Sequence, residues 1–153
     1  MKLIKEIKGR DGFVYFKRWR VLSLGLFNID IHEFFLPFEC IDMKFDNDHF
    51  LHNHPRRFIS YIMEGGYWEK YKKDKNTPAV DRLWVKSSFN FIGPKCFHKI
   101  DRLLAHYCKT LVFTSSLSKP WGYLDDTDPD NLKIISEGQY RKLKNEGFYD
   151  TEK

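Results

Sequence analysis

Two segments of alternating polarity meet at a glycine pair in the stretch Leu51-His-Asn-His-Pro-Arg-Arg-Phe-Ile-Ser-Tyr-Ile-Met-Glu-Gly-Gly-Tyr-Trp-Glu-Lys-Tyr71. The first segment runs from Phe58 to Met63 and the second from Tyr67 to Tyr71. Alternation with a period of two residues is typical of β-strands, and a glycine pair is typical of the turn between them. The stretch therefore predicts two strands joined by a turn.

Segments with the same pattern recur along the chain, separated by turn residues and without an internal repeat. They predict strands at residues 13–24, 26–36, 50–54, 58–63, 67–71, 82–85, 89–92, 97–101, 109–114 and 121–124. About ten short strands favour a closed antiparallel barrel, because closure removes exposed strand edges. Helical periodicity occurs once, after the capping pattern Ser136-x-x-Gln139, and Gly147 is placed to end it. We predict one all-β domain over residues 1–153, with the barrel at about 13–125 and a C-terminal helical tail at about 134–148.

Composition limits the class of protein. The chain has 153 residues, 42% of them hydrophobic and 17% aromatic, which is enough for one globular core. No window reaches the apolar length of a membrane span, and the charges within residues 1–10 do not fit a signal peptide. The three cysteines lack C-x-x-C spacing and predict free thiols. We therefore expect a cytosolic protein that does not contact a membrane.

The formal net charge of +5 comes from residues spread along the whole chain. It is compatible with an anionic ligand. The densest basic stretch, residues 70–75, is typical of a solvated hairpin connection, and the cations of residues 17–20 lie in a predicted strand where they can face water. Nucleic acid is therefore not the partner that we expect.

His52 and His54 carry the clearest chemical signal. Side chains alternate across a strand, so both imidazoles point to the same side, about 6.5 to 7 Å apart along the backbone. His98 lies in another strand-like run and is the natural third donor. Neutral imidazoles suit iron, zinc, copper or nickel. We predict that these three histidines are the catalytic residues and metal ligands of one interior site; two exposed strand histidines are the alternative.

The same segment resembles the first motif of the cupin superfamily, in which H-x-H is followed by a glutamate and then by a glycine. Here Gly66 follows the pair His52-Asn-His54, and His98 falls where the second cupin motif contributes a histidine. The chain is especially similar to small cupin-like proteins of phages and bacteria, which share a leucine-flanked H-x-H-P, F-x-S-x-I and G-G-Y-x-E. The resemblance covers about residues 19–124 and implies a cupin-type jelly roll, in a host cytosol if the gene belongs to a phage.

The chain also departs from the cupin pattern. The glutamate ligand should fall at Phe58 or Ile59, neither of which binds a metal, and Ser60 is a poor substitute. In the second motif, Gly93 and Lys95 stand where a proline and a glycine are expected. A three-histidine site remains, for which the resemblance implies a divalent ion such as iron, zinc, manganese or nickel. Some cupin isomerases use histidines without a metal, so a metal-free site is the alternative.

Five further residues are candidates for substrate binding. Arg56 and Arg57 follow the histidine pair and can clamp a carboxylate or phosphate, or can face outward from a loop. His32 is either a second-shell donor and substrate contact or a structural histidine of the barrel wall. Tyr67 and Trp84 can line a pocket for a planar ligand, or can belong to the core.

The remaining candidates have weaker signals. Tyr61 and Trp121 share the choice between pocket and core. His49 is a candidate fourth ligand, although a surface position is favoured, and His106 is expected to be solvent-facing or structural. Glu64 and Glu69 flank the glycine pair, so we expect a solvated pair rather than a general base.

Three functions fit these residues. The first is a metal-dependent cupin enzyme, dioxygenase-like or hydrolase-like, that acts on a small polar or anionic molecule in the barrel mouth. The second is a noncatalytic protein that binds a nucleotide-like molecule. The third is a metal-free sugar-nucleotide isomerase or epimerase that uses His52 or His54 as a base. Cupins often pair through their strands, so a homodimer is also predicted.

Overall fold

A computed structural model describes residues 1–8, 12–36, 51–115, 121–125 and 131–145. Within these ranges it contains twelve strands and one helix. The first six strands are β1 (Lys2–Lys8), β2 (Val14–Ser23), β3 (Phe27–Phe35), β4 (His52–Asn53), β5 (Phe58–Glu64) and β6 (Gly66–Lys72). The other elements are β7 (Val80–Val85), β8 (Phe89–Ile92), β9 (Phe97–Leu103), β10 (Tyr107–Ser115), β11 (Gly122–Asp125), β12 (Lys133–Ser136) and α1 (Glu137–Asn145).

The strands form two antiparallel sheets of six. The first sheet has the order β1-β2-β3-β10-β5-β8, and the second has the order β12-β11-β4-β9-β6-β7. From β4 onward the chain passes repeatedly from one sheet to the other, which is the topology of a jelly roll. The predicted all-β, antiparallel jelly-roll architecture is confirmed.

The space between the sheets is partly apolar and partly polar. Two buried apolar clusters comprise Leu36, Ile62, Tyr67, Leu103 and Cys108 in one, and Leu51, Phe97 and Leu124 in the other. The first sheet also buries a set of polar residues, namely Asn28, Asp30, Ser60, Asn90, Thr110 and Thr114. Polar side chains are seldom buried in a core that serves packing alone. Several of them line a cavity of about 290 Å³ instead.

Two terminal strands were not predicted from the sequence. β1 pairs antiparallel with β2 and is exposed along its whole length. Its sequence therefore lacks the alternation of apolar and polar residues that would have predicted a strand. β12 occupies the start of the segment predicted as the helical tail, and α1 begins only at Glu137. The predicted capping box is confirmed, because the N–H of Ser136 donates to the Gln139 side chain and the N–H of Gln139 donates to the Ser136 hydroxyl.

The outer face of the first sheet carries an apolar row. Ile29 pairs with Phe113, Phe113 with Ile59, and Ile59 with Phe91 on successive strands. Phe91 is the most exposed of the four, at 61%. The predicted homodimer stays a prediction.

The prediction of free thiols is confirmed for Cys96 and Cys108, whereas Cys40 lies outside the described residues. The only helix in the described ranges has nine residues and is too short to cross a membrane.

Gly65 provides a test of the turn between β5 and β6. Its φ is +68°, and an added Cβ would lie 2.2 Å from the backbone oxygen of Tyr107. Gly25 has nearly the same φ, +67°, with open space around it. In urea denaturation, Gly25→Ala should lower the free energy of unfolding by about 1–2 kcal/mol, the cost of the left-handed backbone. Gly65→Ala should cost more than about 3 kcal/mol, because the backbone must also move. Equal losses would contradict the close approach at Tyr107.

Candidate metal centre

The structure brings His52, His54 and His98 to one point. A possible ligand nitrogen of each lies within 4.8 Å of those of the other two, and this is the only such group of three metal-ligating side chains in the described part of the chain. The Nε2 atoms of His54 and His98 are 2.7 Å apart. His98 is 7% exposed. Three imidazoles therefore meet at one point, where His98 is buried and His52 and His54 are half-buried.

The local strand geometry explains this convergence. His52 in β4 lies directly opposite His98 in β9, and β4 also pairs with β11. Asn53 points away from the site, and its side-chain oxygen accepts the backbone N–H of Gly122 at 3.0 Å. The alternation of a short strand thus places a histidine on each side of Asn53 facing the interior, as the sequence predicts.

Glu69 fixes the orientation of His98. The Nδ1 atom of His98 is 2.5 Å from Oε1 of Glu69, which is completely buried. A carboxylate accepts hydrogen bonds, so His98 donates its Nδ1 proton to Glu69. In the neutral ring, this leaves the lone pair of Nε2 directed toward His54. The expectation of a solvated Glu64 and Glu69 pair was therefore wrong for Glu69, while Glu64 is exposed.

Glu69 is held by residues from both sheets. Asn90 on β8 donates to its Oε1 at 3.0 Å, and the indole N–H of Trp84 on β7 donates to its Oε2 at 2.8 Å. Burial alone would raise the pKa of Glu69, but the charge and hydrogen bond of His98 and the hydrogen bonds of Trp84 and Asn90 lower it below its ordinary value. Glu69 is therefore an ionised carboxylate behind a histidine. Strand alternation could have identified it, because Glu69 is two residues from Tyr67 and shares its face.

An aromatic shell surrounds the histidines. Phe58 packs edge-on against His54 with ring centroids 4.4 Å apart, and Trp121 lies 4.5 Å from the same ring. Phe58 is one of the two positions at which the cupin glutamate ligand was expected. Ile59, the other, is on the exposed outer face. The aromatic ring at position 58 thus takes an inward position where a carboxylate would have been needed.

Burial keeps two histidines neutral. It lowers the pKa of His54 well below the ordinary value of 6.5, and the neighbouring His98 and His52 lower it further. His32 is on β3 of the opposite sheet, and burial, reinforced by the charge of Arg18, lowers its pKa to about 3. Neutral imidazole is the form that binds a metal ion.

The donor set fits a divalent transition metal. Three imidazoles with one ring oriented by a buried carboxylate are the ligand and outer-shell arrangement of many zinc and iron sites. Two nitrogens bound at about 2.1 Å in a tetrahedron lie about 3.4 Å apart, so the rings of His54 and His98 would separate by several tenths of an ångström around an ion. His52, His54 and His98 would hold it.

The remaining predicted residues divide into two groups. Tyr67, His32 and Arg56 line the cavity that the three histidines share, as does Trp121. Arg56 also donates from Nη1 to the carbonyl of Ser115 at 3.0 Å.

Other candidates lie away from this cavity. Arg57 is exposed. Trp84 does not line the cavity and instead donates a hydrogen bond to Glu69. Tyr61 packs against Phe89 on the outer face of the first sheet. His106 does not line the cavity. His49 lies outside the described residues.

The neutral histidines predict how stability depends on pH in chelator-treated protein. An unfolded histidine binds a proton near pH 6.5, whereas folded His32 does so only near pH 3 and His54 well below its ordinary value. The unfolded state therefore binds more protons, and stability must fall as the pH drops below 6.5. Between pH 6.5 and 5, the free energy of unfolding should decrease by up to about 1.4 kcal/mol per pH unit for each of the two histidines.

Urea denaturation at a series of pH values measures this slope. His32→Gln removes one of the two groups and should make the slope shallower. A free energy of unfolding that is constant from pH 7 to 5 would show that folding does not lower the pKa of either ring.

No protein-family model matches the chain, and no curated protein matches it. Solved structures do match. A cupin-2 domain protein of Rhodospirillum rubrum is 11% identical, with a TM-score of 0.54 over 97% of this chain and 87% of the other. HppE with Fe(II) is 12% identical, with a TM-score of 0.52 over 72% of this chain and 55% of the other. A DMSP lyase structure is 12% identical, with a TM-score of 0.50 over 79% of this chain and 53% of the other.

These likenesses establish the fold. The chain spans about half the length of HppE and of the DMSP lyase. At such low identity a shared fold does not carry a shared activity. The cupin-type jelly roll predicted from the sequence is confirmed, and the relation to small phage and bacterial proteins stays a prediction.

Proposed function

We propose that this protein is a metal-dependent enzyme that binds one divalent ion through His52, His54 and His98 and acts on a small polar or anionic molecule in the cavity between the sheets. The observation that carries the proposal is the buried hydrogen bond from His98 to Glu69, joined to the convergence of the three rings. A buried carboxylate is costly to retain unless it is paired. Its use here, to orient one imidazole toward two others, supports a metal site.

The protein residues would prepare the site in three ways. His54 is kept neutral by burial, so its nitrogen is available to a cation at neutral pH. Glu69 selects the tautomer of His98 that presents Nε2 to the interior. Phe58 and Trp121 pack on the ring of His54 and hold it in position. A bound ion would supply Lewis-acid activation of water or of a substrate oxygen, as dioxygenase-like or hydrolase-like chemistry requires.

The cavity favours a small substrate. Its volume of about 290 Å³ lies at the lower end of the usual range for ligand pockets, and apolar and aromatic side chains share its lining with the polar groups.

A second candidate function is metal-free acid–base catalysis, as in an isomerase or epimerase. It is supported by the chain of contacts from Glu69 to His98 and from His98 to His54, since a carboxylate that orients a histidine is also the arrangement of a general base. Metal content distinguishes the two candidates.

Elemental analysis of protein purified without an affinity tag tests the metal site. We expect about one divalent iron, zinc, manganese or nickel ion per chain, removable by a chelator and restored by titration with the metal. His54→Ala should lose the ion, because the two histidines that remain are too few to hold it. His106→Ala is the matched control and should keep it, because His106 lies outside the cavity lining. Metal-free protein that takes up no divalent ion on titration would leave only the second candidate.

Substitution of Glu69 tests the role of the buried carboxylate. Glu69→Gln keeps the volume but removes the charge, and should weaken metal binding by about 10- to 100-fold, the usual cost of losing a partner of a metal-bound histidine. Glu64→Gln, five residues away and exposed, should leave the affinity unchanged. Competition with a chromophoric chelator measures both constants. Equal affinity in the two variants would show that Glu69 serves only the fold.

A further inference from the structure

The wall of the cavity opposite the histidines carries a row of four polar side chains. Lys5 on β1 pairs in register with Arg18 on β2, Arg18 with His32 on β3, and His32 with Thr110 on β10. All four line the cavity. Neighbouring strands are about 4.8 Å apart, so the four side chains form a continuous band across the first sheet. We call this band, Lys5, Arg18, His32 and Thr110, the anion shelf.

The charge of the cavity lining is one-sided. Lys5, Arg18 and Arg56 contribute three cations, and no aspartate or glutamate among the described residues lines the cavity. The one buried carboxylate next to the shelf, Asp30, is shared by Arg18 and Arg20, so it balances only one of these two charges. Within the described ranges, Lys5 has no ion pair. A ligand with negative charge would therefore be attracted to this wall.

Asp30 fixes the guanidinium of Arg18 and leaves some of its N–H groups available to a ligand. Its Nε and Nη2 atoms donate to Oδ2 of Asp30 at 2.9 and 2.5 Å, and Asp30 is completely buried. Its Nη1 makes no hydrogen bond to any described residue. A planar guanidinium held on one edge by a buried carboxylate presents its other N–H groups in a defined direction, which suits carboxylate and phosphate oxygens.

His32 provides a second, independent sign of a missing partner. Its Nε2 atom is buried and has no hydrogen-bond partner among the described residues. Buried polar atoms are nearly always paired, with protein, water or a ligand. The ring lies in the shelf beside Arg18, between aromatic contacts with Phe16 and Phe34. Because His32 is paired with Arg18 on the neighbouring strand, a ligand oxygen bound to Arg18 would be able to accept a hydrogen bond from His32 as well.

We propose that the anion shelf binds the carboxylate, phosphate or phosphonate group of a small organic anion, and that this is the substrate class of the site. The rest of the molecule then extends across the cavity toward His52, His54 and His98 on the second sheet. This second statement rests on the proposed function, whereas binding of the anion to the shelf does not. No covalent step is assigned to the shelf, which positions one end of the ligand.

Calorimetric titration of chelator-treated protein with inorganic phosphate, propionate and methylphosphonate tests the shelf without interference from a metal. We expect saturable binding of at least one of the three anions, and the one that binds most tightly identifies the head group. Lys5→Gln should weaken that binding by about tenfold, as expected for one charge-assisted contact. Arg18→Gln should weaken it by at least as much.

Controls separate contact from general charge and from folding. Lys17→Gln also removes one positive charge beside Arg18 in the sequence. Lys17 lies near Glu6 on the outer face of the first sheet, so anion binding should be unchanged. Lys5→Gln changes an exposed side chain and should fold normally even if Arg18→Gln, which disturbs the pairing of Asp30, does not. Binding by none of the three anions, or an equal loss in Lys5→Gln and Lys17→Gln, would overturn the proposal.

The same samples distinguish failure of the shelf from failure of the metal site. His54→Ala should lose the metal and keep anion binding, while Lys5→Gln should keep the metal within about twofold, since no shelf residue is a ligand. Anion binding without any metal uptake would leave the shelf standing and remove the metal-dependent enzyme. Metal uptake without anion binding would leave the metal site standing and overturn the anion shelf.

Discussion

The buried hydrogen bond between Glu69 and His98 is the interaction on which the site depends. It orients the ring of His98, and its carboxylate also connects the two sheets at the site. Glu69 lies in the second sheet with His98 and Trp84, and it also accepts a hydrogen bond from Asn90 in the first sheet. The two sheets are therefore joined through a polar contact at the position where the histidines meet. Removing the carboxylate would leave several donors unpaired in a dry interior, a larger cost than the loss of one hydrogen bond.

The interior separates its charges in a consistent way. Among the described residues, two carboxylates are fully buried, and each lies behind a group that faces the cavity: Asp30 holds Arg18, and Glu69 holds His98. Neither carboxylate is part of the cavity lining. Arg18 then presents N–H donors to the cavity in a fixed direction, and His98 presents the lone pair of its Nε2 in a fixed direction. Polar groups that are fixed before a ligand binds interact with it at no cost of reorientation.

The sequence predicted the parts of this arrangement that depend on one strand at a time. The alternation in residues 51–55 was sufficient to place His52 and His54 on one side, and the short strands predicted a closed antiparallel barrel. The jelly roll was implied by the family resemblance. His98 was the natural third donor because it lies in another strand-like run, and the family resemblance supported the same choice. Alternation from Tyr67 could have placed Glu69 on the inner face, but its partners lie on β7, β8 and β9, which its own neighbours do not reveal. The anion shelf was missed for the same reason, since Lys5 and Arg18 meet only through the register of a strand, β1, that lacks apolar alternation.

The aromatic residue Phe58, at a position where the cupin pattern has a glutamate, and the anion shelf have a common electrostatic consequence. Phe58 packs on His54 where an anionic ligand was expected, so the three imidazoles bring no charge to a bound divalent ion. The cavity around it adds Lys5, Arg18 and Arg56 and no lining carboxylate. These cations repel a divalent ion, because like charges in a medium of low dielectric constant repel strongly, and the ionised Glu69 behind His98 offsets part of that repulsion. The ligand itself would then supply the missing negative charge, so ion and organic anion would each strengthen the binding of the other.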